Sequence, residues 1–123
     1  MSWKMLSEPN GNWVELVVEG EVMDSELKAS TDASLEQVKA RGCSNVLIDC
    51  RDVKVPPPAT AIQKLPDYYD TIGVPADIRI AMVLSGRPSG AELASYYRMS
   101  AKMKHYNVQL FETYEDAARW LES

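Results

Sequence analysis

Residues 45 to 50, Asn-Val-Leu-Ile-Asp-Cys, hold a continuous apolar run at Val46, Leu47 and Ile48 that does not alternate with polar residues. A strand of that kind is covered on both faces or is central in a sheet. It follows a stretch from about Asp24 to Arg41 in which Leu27, Thr31, Leu35 and Val38 recur at spacings of three and four. This is a helical period, started by Asp24 or Ser25 and stopped by Gly42. A strand reached through a helix runs parallel to the strand before it. The segment therefore places the chain among α/β folds.

The remaining elements extend this frame. Residues 3–9 and 13–22 read as two strands, the second with Trp13, Glu15, Val17 and Glu19 alternating against Val14, Leu16 and Val18. The Asn-Gly pair between them predicts an antiparallel hairpin. After the prolines at 56–58, a helical stretch runs to about Gly73, with Pro66 expected to kink it or divide it in two. A fourth strand is expected over 78–85. A helix then begins at Ser89, with Glu92 in capping-box spacing, and continues to about His105. A short strand over 108–111 and a helix capped by Thr113 complete the order β-β-α-β-α-β-α-β-α. One domain, 1–123, with one mixed α/β sheet and parallel later strands accounts for the chain.

Composition narrows the functions. Apolar content of 46%, charged content of 25% and a net charge of −5 describe an ordinary globular chain. No basic block neutralises phosphates, so nucleic acid is not an expected partner. The N-terminal residues lack the apolar core of a signal peptide and no apolar run reaches bilayer length, so a cytoplasmic protein without a transmembrane segment is expected. Cys43 and Cys50, about 23 Å apart if the strand between them is extended, are too far apart for a disulfide and are read as small buried apolar residues. With one histidine, no Cys/His metal set can form, and neither a metal nor a cofactor is expected.

Ligands of open α/β sheets sit beyond the carboxyl ends of parallel strands, where helix N-termini point their amides. Those ends here bring Asp49, Arg51, Asp52, Ser85, Arg87 and Ser89 to one expected rim. Arg87 beside a helix start suits a phosphate or carboxylate. Asp49 stands where a phosphoacceptor would, yet the second strand ends without the acidic pair that holds magnesium and no lysine closes the last strand. Asp49 is therefore expected to bind loop amides or pair with Arg51. Ser89 is accounted for as a cap, and His105 as a helix-terminal residue. No Ser/His/acid set, nucleophile elbow or phosphate-binding loop is present, so an enzyme is not expected. In the pairs Tyr68–Tyr69 and Tyr96–Tyr97 the side chains point about 100° apart, so one of each can be core and the other surface. Those left exposed, with Ile62 and Leu65, would line an apolar groove or dimer face.

The segments Trp13–Val22, Asn45–Val53, Ile78–Ser85 and Phe111–Leu121, in this order and with helices between, resemble the STAS superfamily, most nearly its SpoIIAA-like branch. The resemblance implies a mixed sheet of four to five strands with helices packed largely on one face. In signalling members the strand matching 46–50 is followed by Asp-Ser-Ser-Gly, whose serine is phosphorylated to release a partner kinase. That motif falls on Pro57, Pro58, Ala59 and Thr60, so the phosphoacceptor is absent, and Thr60 reads as a helix cap. The branch is also similar to lipid-transfer domains, although a chain of this length leaves little room for a large enclosed lipid cavity.

These readings predict a non-enzymatic interaction or regulatory module. It would bind a protein partner, or itself as a homodimer, through a surface of Thr60, Ile62, Leu65, Tyr68, Tyr69 and Tyr97. The alternative is a binder of a small anionic or amphipathic, lipid-like ligand at the rim.

Overall fold

The computed structural model of the protein describes residues 2–6, 12–84 and 88–123, and of 88–91 and 93 the backbone alone. Five strands, β1 (Trp3–Met5), β2 (Val14–Glu21), β3 (Asn45–Val55), β4 (Arg79–Val83) and β5 (Asn107–Phe111), form one sheet in the order β1-β2-β3-β4-β5. Four helices, α1 (Asp24–Arg41), α2 (Ala59–Ile72), α3 (Pro88–Met103) and α4 (Tyr114–Glu122), alternate with the later strands. β1 lies antiparallel to β2, and every other neighbouring pair is parallel. The expected element order and mixed sheet are present. Asn10 and Gly11 of the expected hairpin turn lie outside the described residues.

Because successive strand side chains point to opposite faces, two cores form. On one face Val14, Val46, Ile80 and Val108 pack with Val38 of α1, Tyr69 of α2 and Tyr97 of α3. On the other, Leu47, Ala81 and Val83 pack with Ala117 and Leu121 of α4. Three helices cover one face and one covers the other.

Several ends differ from the sequence expectation. β1 stops at Met5, and α1 is capped by Met23, with no side-chain cap bond, rather than by Asp24 or Ser25. Asp24 and Glu26 instead favour the positive helix start by charge. α2 is not divided at Pro66, whose ring is buried in the core. Packing there offsets the helix bond the proline lacks. α3 ends at Met103, where His105 takes a left-handed φ of 68° and the Tyr106 amide donates to the Ala101 carbonyl. Thr113 caps α4 as expected, accepting from the Asp116 amide at 3.2 Å.

The largest difference is in β3, which continues through Val55 instead of ending at Cys50. Beyond Asp49 it pairs only with β2, and the β2–β3 register slips twice, between Val17 and Glu19 and between Gly20 and Glu21. Gly20, on β2 beside the second slip, has φ 70°, a left-handed conformation that favours glycine. Each slip inserts an extra residue in β3, which breaks the period-two pattern and hides this half of the strand from sequence inspection.

Candidate functional site

α1 spans the three-helix face with a poor set of inward side chains. Between Leu27 and Val38, Ser30, Thr31 and Ser34 turn toward the sheet, and each hydroxyl donates to a carbonyl of its own helix, at 2.7 to 3.0 Å. Such hydroxyls satisfy themselves locally but fill little volume. Beneath the N-terminal half of α1 the sheet therefore stays uncovered, and a pocket of about 140 Å³ opens there. Leu16, Ile48, Val53 and Met82 line it from the sheet, Leu27, Ser30 and Thr31 from α1, and Leu65, Tyr69 and Tyr97 from α2 and α3.

The two bulges in β3 shape the mouth. They carry Val53 and Lys54 into the lining, followed by Pro56 and Pro57. Lys54 is exposed and has no ion-pair partner among the described residues. Across the opening, Glu26 accepts from the Ser2 hydroxyl at 2.6 Å and the Ser2 amide at 2.7 Å, which ties β1 to α1. Those hydrogen bonds hold the Glu26 carboxyl below its ordinary range.

Deep in the pocket the Tyr69 and Tyr97 hydroxyls share a hydrogen bond of 2.6 Å. Tyr69 also meets the Tyr97 and Tyr106 rings edge-on, with centroids 6.4 and 5.5 Å away. Burial pushes both buried phenols up, so they stay protonated. Burial, with the nearby Asp49 charge, also pushes the Cys50 thiol up to about 12. Cys43 and Cys50 are both free thiols.

Of the expected rim, only Asp49, Arg51 and Asp52 have described side chains, and none of the three lines this pocket. Asp49 and Arg51 lie on the α4 face, where the Asp49 carboxylate accepts from Arg51 Nε at 2.9 Å, Nη2 at 2.7 Å and the Arg51 amide at 3.1 Å. Burial raises the Asp49 carboxyl, and the Arg51 bonds outweigh it, leaving Asp49 below its ordinary range. Arg51 in turn covers the Tyr114 ring, 5.7 Å from its centroid. Asp52 is exposed beyond the bulge. Ser85, Arg87 and the Ser89 side chain lie outside the described residues.

The tyrosine pairs divide as their angular spacing implies. Tyr69 and Tyr97 are 5% and 1% exposed, so they are removed from the expected partner surface, while Tyr96 is 40% exposed. Tyr68 is half-buried and donates to Asp32 at 2.6 Å. Ile62 and Leu65 are half-buried against the core and Thr60 is exposed. Sequence reasoning missed Lys54 and the pocket. The available signal was the run of small hydroxyl residues on the inward side of α1.

The sheet order and the division of helices between its faces define a SpoIIAA-like α/β fold. A crystal structure with that fold, of an uncharacterised DUF3478-family protein from Shewanella loihica PV-4, is similar to this chain with a TM-score of 0.62. The likeness covers 97% of this chain and 91% of that one at 19% identity, and is one of fold. No family model and no curated protein matches the chain.

Proposed function

We propose that this SpoIIAA-like module binds one compact amphipathic molecule, without converting it, in the pocket between α1, α2 and the β2–β3 floor. The observation that carries this reading is an open apolar pocket of about 140 Å³ with Lys54 at its mouth, where it has no ion-pair partner among the described residues. An apolar cavity of roughly 150 Å³ holds a benzene-sized molecule. A small ring or short aliphatic chain fits, and a diacyl lipid does not. Lys54 suits a carboxylate or phosphate head, and the Tyr69–Tyr97 pair keeps one O–H hydrogen that is not used between the two hydroxyls. The absence of conversion is supported by the wall itself, where burial keeps thiol and phenols protonated and therefore weak nucleophiles.

The test is an amide NMR titration with benzoate, hexanoate and neutral benzyl alcohol. All three are expected to perturb Leu16, Ile48 and Leu65, and Lys54→Glu is expected to weaken only the two acids, by about fivefold. Thr31→Leu, which fills the pocket, is expected to abolish binding while leaving Tm equal or higher. Perturbations confined to the α4 face, or none at millimolar ligand, overturn the reading.

A further inference from the structure

α3 carries one chemically distinct exposed stripe. Tyr96, Met99 and Met103 are 40%, 65% and 81% exposed. With exposed Glu92 they follow spacings of four, three and four, the spacing of a two-helix seam. Among the residues of the helix whose side chains are described, the other exposed ones, Ser95, Arg98 and Lys102, lie together on one side of that stripe. Charge is also ordered along the axis, with an acid at Glu92 and bases at Arg98 and Lys102.

We propose that α3 is a self-association surface on which a second copy of the chain packs antiparallel about a two-fold axis between Tyr96 and Met99. Reversal makes the stripe complementary to itself. Tyr96 meets the partner's Met99, a favourable sulfur–aromatic contact, and Glu92 falls beside the partner's Lys102, twice by symmetry. A parallel arrangement sets Glu92 against its own copy and the bases against theirs, which charge repulsion disfavours. A single helix face falls in the smallest class of interfaces, so the dimer is concentration-dependent, with Kd on the order of 100 µM. The pocket lies on residues this stripe does not include, so the inference stands apart from ligand binding.

Sedimentation velocity between about 10 µM and 1 mM tests it. A monomer–dimer equilibrium is expected for the wild type. Met99→Lys and Met103→Glu, both at exposed positions that leave the circular dichroism spectrum unchanged, are expected to give monomer throughout. Glu92→Lys is expected to weaken association at least tenfold, and Glu92→Lys combined with Lys102→Glu to restore it. A wild-type monomer at every concentration, a dimer indifferent to Met99→Lys, or a charge swap that fails to restore association overturns the proposal.

Discussion

On the α4 face, Leu47, Ala81, Val83 and Ala117 are wholly enclosed, and Glu15, the one buried carboxylate among the described residues, has two donors on its Oε1. It accepts from the Trp13 indole at 2.9 Å and the Tyr114 hydroxyl at 2.5 Å. On the α1 face, serines and a threonine stand where leucines would close the space, and a pocket results. The same sheet thus supports a closed face held by one short amphipathic helix and an open face beneath the longest helix in the chain. Helix length does not decide how well a face is filled; the volume of the inward side chains does.

Four substitutions would break or sharpen this contrast. Leu47→Ala is expected to cost about 2–5 kcal/mol in urea unfolding, because it opens a cavity in an enclosed site. Leu65→Ala, at the wall of space already open, is expected to cost about 1 kcal/mol or less. Equal costs would show that the two faces are packed alike. Next in size, Tyr114→Phe deprives buried Glu15 of a donor and is expected to cost about 1–3 kcal/mol in the same assay. An unchanged midpoint would place that pair among unimportant contacts.

Asp49→Asn is expected to cost about 1 kcal/mol, no more than a small effect, because Arg51 is half exposed. The folded Asp49 carboxyl lies below its unfolded value, so its contribution is present above the unfolded value of about 3.9 and is lost as pH falls through the folded one. The difference between wild type and Asp49→Asn is therefore expected to stay level from about pH 5 to 8 and to close below about pH 4. A difference that grows on acidification would contradict the pairing.

Much of the fold was legible because its signals are local. The helix over Asp24–Arg41 with its Gly42 stop, the apolar strand at Asn45 and the Thr113 cap all follow from periodicity and capping chemistry within a few residues. The site was less legible because it depends on which way side chains turn. Asp49 and Cys50 are neighbours in sequence, yet one faces Arg51 beneath α4 and the other faces the pocket. The bulges that bring Lys54 to the mouth are set by pairing with β2 and leave no motif. Which side of the sheet a strand-end residue faces depends on this register, and the sequence alone does not give it.

The protonated state of Cys50 has a consequence for what the pocket can shelter. With its thiol pushed up to about 12 by burial and the Asp49 charge, Cys50 is protonated at neutral pH. If the proposed ligand site admits an electrophile, an unsaturated aldehyde for example, its capture by that sulfur is expected to be slow. Cys50 thus lines the pocket as a weakly nucleophilic thiol.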